Sequence, residues 1–269
     1  MKQSGSGKWN KYFVAGLLMT GLAVLLGIVG FFWTPYSTTE MSAAEKFAAP
    51  SLRHLFGTDN FGRDIFSRVM QGLGTTISIS SLVVLFSGSV GILLGAVTGY
   101  FGGLLDEVVM RITDALNGFP SILLTLVIIS VLGSGRQNVI ISLGLVFVPS
   151  FIRIVRSEFI RLRDMDYIRR ARLMGVGKRR ILFVHMLPNI FSVFWVSVMI
   201  GFNNAILAES GMSYLGIGVQ PPDASLGKML SDAQGYLQSA PWYALAPGLT
   251  IVWVVLGFSL FGEGIRRSQ

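Results

Sequence analysis

The residues that could do chemistry are few, and most fail on spacing. A loop that cradles phosphates needs Gly-x-x-x-x-Gly-Lys followed by Ser or Thr, so that backbone N–H groups and the lysine share the anion's charge. The two nearest candidates break the pattern: Gly7-Lys8 precedes Trp9, and Gly177-Lys178 precedes Arg179. Two histidines are present, His54 and His185, far apart and outside any His-Glu-x-x-His arrangement, which speaks against zinc. His185, in a basic segment ahead of a proline, reads as structural. Cysteine is absent, so thiolate ligands, thiol nucleophiles and disulfides are excluded. No Gly-x-Ser-x-Gly elbow occurs. The chain itself is therefore expected to hold no catalytic residue, no metal and no cofactor.

Where charge is missing says more. Hydrophobic residues make up 52% of the 269 and charged ones 13%, about half the share in ordinary soluble domains. Six stretches lack Asp, Glu, Lys and Arg: 12–33, 72–105, 115–135, 137–152, 188–208 and 239–262. Crossing the hydrocarbon takes roughly 20 apolar residues. Five stretches meet that, and the fourth does so if Arg153 and Arg156 snorkel from its end. The expected fold is an all-α integral membrane protein with six transmembrane helices. Its parts run as a tail (1–11), a first span (12–33), an outer loop (34–73), a five-helix core (74–262) and a second tail (263–269). The first apolar run is longer than a signal peptide's core and lacks a small-x-small site after Trp33, so it is expected to stay as an anchor. With no ionisable residue inside the spans as drawn, a proton-relay pump is disfavoured.

Orientation follows from the cations. With both termini inside, sixteen of the 22 Lys and Arg lie on the cytoplasmic side, ten of them between Arg153 and Arg180. The opposite orientation would carry that ten-cation segment across the membrane. N-in, C-in is the expected topology. In the second stretch Ser87, Gly91, Gly95, Gly99 and Gly103 recur every four residues, a smooth helix face for close packing or for sliding. Asn203 and Asn204 are polar groups at membrane depth, suited either to lining a path or to interhelical hydrogen bonds.

The segment 153–187 remains. Asp166 can cap a helix over 167–174 that ends at Gly175 in a left-handed conformation, with Ile168, Ala171 and Met174 on one face. A second helix can run from Lys178 into the fifth span, with Pro188 at a bend or helix start. A basic loop against anionic lipid is one reading of this segment. A docking helix for a cytoplasmic partner is the other. Upstream, Thr58 or Asp59 can cap an amphipathic interfacial helix carrying Phe61, Ile65 and Val69, with an Asp64–Arg68 pair. It could serve as a plain interfacial helix or as a contact for a partner. Gln220-Pro221-Pro222-Asp223 reads as a stiff outer loop, connector or docking surface.

Ala171-x-x-x-Gly175, nine residues, then His185-x-Leu187-Pro188 resembles the cytoplasmic motif of ABC importer permeases, which runs Glu-Ala-Ala, three residues, Gly, nine residues, Ile-x-Leu-Pro. Arg169, Arg170 and His185 replace the motif's Glu, first Ala and Ile. Arg169 inverts the charge there, which implies an adapted ATPase or a docking that differs in detail. Gly57-Thr58-Asp59-Asn60-Phe61-Gly62-Arg63-Asp64, and SYLGIGVQPPDASLGKML with APW and FGEGIRR downstream, are similar to signatures of the dipeptide, oligopeptide and nickel permeases, in their shorter "C" type. The resemblance covers about nine-tenths of the chain and implies a type I ABC importer permease fold. It also implies a second homologous permease, an extracytoplasmic solute-binding protein and two ATPase subunits that bind ATP and Mg, with membrane lipid around them and no nucleic acid. The setting would be a bacterial or archaeal plasma membrane, crossed several times. Coupling to the ATPase would fall to Arg169, Arg170, Ala171, Leu173, Gly175, Leu187 and Pro188, and the translocation path to Asn203 and Asn204. A nickel or metal-chelate importer is the nearest alternative. A stand-alone channel, a secondary carrier and a membrane scaffold are the alternatives of another class.

Overall fold

The computed structural model describes residues 11–268; of the tail expected over 1–11, residues 1–10 lie outside them, as does Gln269, and Lys11 opens the first helix. In chain order the helices are α1 (Lys11–Phe32), α2 (Ile65–Phe101), α3 (Gly103–Asn117), α4 (Ser121–Leu132), α5 (Arg136–Arg163), α6 (Asp166–Leu173), α7 (Lys178–Arg180), α8 (Leu187–Tyr214), α9 (Leu226–Ala233) and α10 (Pro241–Ser268). Among the described residues five helical stretches are long and apolar enough to cross a membrane: α1, α2, α5, Lys178–Tyr214 and α10. The bent pair α3 and α4 makes a sixth candidate when the two helices are counted together as one broken span.

That pair departs from the single helix expected over 115–135. The two helices meet at 93° around Gly118–Pro120. Proline has no N–H and disfavours a helical residue before it, so a helix stops there. α4 alone, at 12 residues, is too short to span. α3 carries Asp106, Glu107, Arg111 and Asp114 and lies beside the cytoplasmic end of α5. The fourth span differs as well. α5 is a full 28 residues, and Arg153 and Arg156 within it do not reach for lipid. Arg153 Nη2 donates to Asp114 Oδ1 at 2.9 Å, and Arg156 Nη2 to Asp106 Oδ2 at 2.6 Å, so each meets a carboxylate of α3. The C-terminal tail expected from 263 continues α10 as helix.

α2 is the axis of the bundle, and α5 lies along its small-residue face. Ser87, Gly91, Gly95 and Gly99 are buried there. A methyl at Gly95 would come 2.8 Å from the Ile152 carbonyl oxygen, and one at Gly99 2.6 Å from Phe159 Cβ, so the two backbones have closed to contact. Gly103 does not belong to this stripe: α2 has ended at Phe101, and Gly103 faces open space at φ 68° as the first residue of α3. Two buried apolar clusters result. The larger fills the membrane and outer part of the bundle. A smaller one at the cytoplasmic end unites Tyr100, Val155, Phe159, Leu162, Ile168, Ile181, Met186 and Ile190.

No separate interfacial helix forms over 58–69. Apart from one 3-10 turn at Ala43–Glu45 the outer loop stays irregular until Asp64, whose Oδ2 accepts from Ser67 N at 2.7 Å and caps α2. Ile65 and Val69, expected on an apolar surface stripe, are core residues of α2. Asp64 does not pair with Arg68. Its Oδ1 lies 2.9 Å from His54 Nδ1, while Arg68 Nη1 donates to the Thr38 carbonyl at 3.1 Å.

Candidate functional site: a cytoplasmic docking helix and a membrane cavity

α6 is a two-turn helix with two unlike sides. Ile168 and Ala171 are buried against α5 and the α7–α8 stretch, while Arg169, Arg170, Leu173 and Met174 are exposed. Its end is set by Gly175 at φ 76°. Val176 N donates to Ala171 O at 3.1 Å and Gly175 N to Arg172 O at 3.0 Å, the paired 6→1 and 5→2 bonds of a Schellman stop. Leu173 is 88% exposed, so the stop holds a large apolar side chain out into water beside two arginines. The sequence placed Ala171 among the contact residues. The structure puts it inside, where it anchors the helix. Of the other expected coupling residues, Gly175 and Pro188 are exposed, and Leu187 is half-buried. Leu187 and Pro188 line a small apolar hollow at the foot of α8 with Ile92, Phe191 and Phe194, away from the tip of α6.

The link from α6 into the membrane is short. Ile168 sits in the same small core as Ile181, Met186 and Ile190. Asn189 Nδ2 donates to the His185 carbonyl at 2.6 Å and reaches the Tyr167 hydroxyl at 3.4 Å. Between them Ile181–Met186 winds as a π-helical turn ahead of Pro188. The proline cannot donate to the preceding turn, and a widened turn absorbs the mismatch without breaking the helix. The 178–214 stretch thus runs unbroken from beside α6 through the membrane.

In the membrane a cavity of about 480 Å³ lies between the α3–α4 elbow, α5 and α8. Its polar lining is Asn117, Ser121, Ser150, Ser197 and Asn204, and none of its lining side chains is charged. The two asparagines singled out by the sequence part company here. Asn204 faces the cavity. Asn203, one residue and 100° around the helix, points toward α10 near Phe258 and Gly262, and its Oδ1 is buried without a partner.

A buried carboxyl lies just past the fifth charge-free stretch. That stretch ends at Ala208, yet α8 continues to Tyr214 and carries Glu209 into the bundle, fully buried. Its Oε2 accepts from Thr76 Oγ1 at 2.9 Å and its Oε1 from Ser213 Oγ at 2.8 Å; Ser213 Oγ in turn accepts Val219 N at 3.1 Å. The carboxyl ties α2, α8 and the loop beyond α8 together. Ser210 and Ser213, following at one and four residues, were the available signal for a polar face continuing the helix. Glu209→Leu leaves two buried hydroxyls without their acceptor, at about 1–3 kcal/mol each, whereas Glu209→Gln keeps an oxygen for one of them. The leucine variant is expected to melt several degrees lower than the glutamine one, read by a thermal-shift assay in detergent.

The outer signature is also inward-facing. Thr58 and Asp59 are fully buried, and Arg68 nearly so. Asp59 Oδ1 accepts Phe61 N at 2.8 Å and Arg63 N at 3.0 Å, its Oδ2 accepts Arg63 Nε at 2.7 Å, and Asn60 Oδ1 accepts the Tyr243 hydroxyl at 3.2 Å. These residues knit the outer loop to α2 and α10. By contrast Gln220, Pro221, Pro222 and Asp223 are all exposed on the outer side.

Comparison with known proteins agrees with this arrangement. A family described as "Binding-protein-dependent transport system inner membrane component" matches residues 91–268. A dipeptide transport system permease, DppC of Alkalihalophilus pseudofirmus, is 40% identical over 97% of this chain and 86% of its own. The DppC of Haemophilus influenzae is 34% identical over 97% and 90%. The glutathione transport system permease GsiD of Pectobacterium atrosepticum is 37% identical over 92% and 84%. Among solved structures, an inward-facing form of the MetNI methionine ABC transporter superposes with a TM-score of 0.60 at 18% identity, over 75% of this chain and 96% of that one. This multi-pass helical chain, matched along almost its whole length, belongs to the inner-membrane permease components of binding-protein-dependent ABC transporters.

Proposed function

We propose that the chain is one of two non-identical permeases of an importer for di- or oligopeptides, and that α6 is the element through which ATP hydrolysis in partner subunits moves it. The exposed tip of α6, with Arg169, Arg170 and Leu173 on a base of Ile168 and Ala171, carries this reading. An apolar knob in a cationic rim suits a groove on another protein, and the base is continuous with the helix that lines the cavity. The ATPase subunits bind ATP and Mg; this chain supplies two packings whose balance they bias. A second permease completes the path on the open side of the cavity, where Asn204 and the serines offer uncharged hydrogen bonds to a peptide in transit. A solute-binding protein delivers the peptide at the outer face, with the 220–223 loop within its reach. The named peptide substrates of the relatives support the substrate class.

The test is charge reversal at the tip. Arg169→Glu with Arg170→Glu is expected to remove the ATPase subunits from a mild-detergent pull-down. Uptake of a labelled dipeptide should fall roughly a hundredfold, as reversing two contact charges costs a few kcal/mol. Both side chains are exposed, so the membrane level of the chain should hold. ATPase subunits co-eluting in full from the reversed variant, with normal uptake, would remove α6 from the coupling route.

A further inference from the structure

A second hollow, of about 550 Å³, opens at the cytoplasmic end of the bundle on the side of α6 turned toward α2. Tyr100 and Phe101, the last residues of α2, face it, and three cations converge on it from three elements: Arg163 at the end of α5, Arg172 in α6 and Lys178 at the start of α7. The Arg172 guanidinium lies 5.2 Å from the centroid of the Tyr100 ring and the Lys178 ammonium 5.8 Å from that of Phe101. Ring faces hold cations in this way and restrain side chains that would otherwise sample many rotamers. Among the described residues neither Arg172 nor Lys178 is paired with a carboxylate, and Arg163 has only Asp164 at 3.9 Å. The neighbouring carboxylate Asp106 is engaged by Arg156. The hollow therefore collects three positive charges against a single carboxylate at its edge, and Arg172 and Lys178 are left without a counter-charge among the described residues.

Its depth narrows the class of anion. α2 is apolar along the membrane and ends at Phe101, and the ion pairs of α3 with α5 begin immediately beyond. The hollow lies where hydrocarbon gives way to water. Guanidinium forks beside an ammonium are the complement of a phosphate group, whose oxygens accept several charge-assisted hydrogen bonds at once. A phosphate is found at this depth in phospholipid headgroups and, from the water side, in soluble phosphate compounds.

We propose that this hollow is a phosphate-binding site, separate from the solute cavity and from the exposed tip of α6, filled by a phospholipid phosphodiester or by a soluble phosphate. A bound phosphate bridges α5, α6 and α7 over the end of α2, and so holds the docking helix in place.

The experiment uses the permease with its native partner subunits, extracted in mild detergent. In one arm the complex is exposed to vesicles of equal phosphatidylglycerol and phosphatidylcholine, and the retained lipid is counted by native mass spectrometry. In the other, delipidated complex is titrated with inorganic phosphate by calorimetry. Arg172→Gln with Lys178→Gln is compared with Arg179→Gln with Arg180→Gln, which removes the same charge from neighbouring positions outside the hollow. Phosphatidylglycerol retained about tenfold over phosphatidylcholine, lost in the first variant and kept in the second, establishes the site and names the lipid as its source. Saturable inorganic phosphate binding with the same variant pattern establishes it with a soluble source. Equal losses in both variants, or no loss in either arm, overturn the proposal. If the first double variant is not recovered as an intact complex, Lys178→Gln alone reads the same comparison, since that side chain is exposed.

Discussion

Replacing Gly175 by proline is expected to cut uptake at least about tenfold while the chain still inserts and accumulates normally. At φ 76° the residue occupies the left-handed region, and its N–H closes the last turn of α6 onto the Arg172 carbonyl. Proline fixes φ near −65° and has no N–H, so it removes both features. The damage is local: the turn that presents Leu173 and positions Arg170 unwinds, while Ile168 still holds the start of the helix in the small core. Asparagine, which tolerates the left-handed region better than other residues with a Cβ, should be much milder. A Cβ at this position meets nothing within 4 Å, so crowding does not confuse the comparison. Uptake of a labelled dipeptide, normalised to the amount of permease in the membrane, reads the result. Wild-type uptake by the proline variant would mean that the shape of α6 does not matter to transport.

The second large effect is expected at Gly95, in the seam between α2 and α5. Its missing side chain lets the Ile152 carbonyl and Val155 approach so closely that any Cβ would stand 2.8 Å from both. A carbonyl oxygen of a packed helix cannot turn aside as a side-chain end can. Gly95→Leu must therefore part the two helices, at about 3 kcal/mol or more. For a chain of this size that is a melting point lower by roughly 6–12 °C. Gly21→Leu is the control, because a Cβ there meets nothing within 4 Å and the position is exposed on α1. It should melt within a degree or two of wild type. Thermal unfolding of both variants in the same detergent decides the matter, and equal melting points would mean that the small-residue seam does not hold the bundle together.

Both effects belong to positions that could be picked from sequence, since a four-residue repeat of small residues and a glycine closing a basic segment are local patterns. Much else was local in the same sense. Charge-free runs mark where hydrocarbon surrounds the chain, because an unpaired ion there is costly, and the cation count orients the bundle. The glycine stop of α6 follows from the freedom of a residue without a Cβ. Family signatures, too, survive in order along the chain, although side chains such as Asp59 in the first of them knit the loop rather than offer a surface.

What the sequence could not decide depended on neighbours far along the chain. Arg153 and Arg156 looked like snorkelling ends until Asp114 and Asp106, about 40 and 50 residues earlier, folded back beside them. Glu209 looked like the residue after a span, and it is Thr76, 133 positions away, that makes its burial tolerable. Ala171 and Arg170 are adjacent in a basic run, yet only the packing of α5 against α6 turns one inward and leaves the other out. Asn203 and Asn204 were equivalent candidates until α10 covered one side of α8 and left the other open on the cavity. Hydropathy and turn chemistry are properties of single residues and their close neighbours, and a sequence displays them directly. Which side of a helix is covered, and which charge finds its counter-charge, are properties of pairs brought together only when the bundle closes.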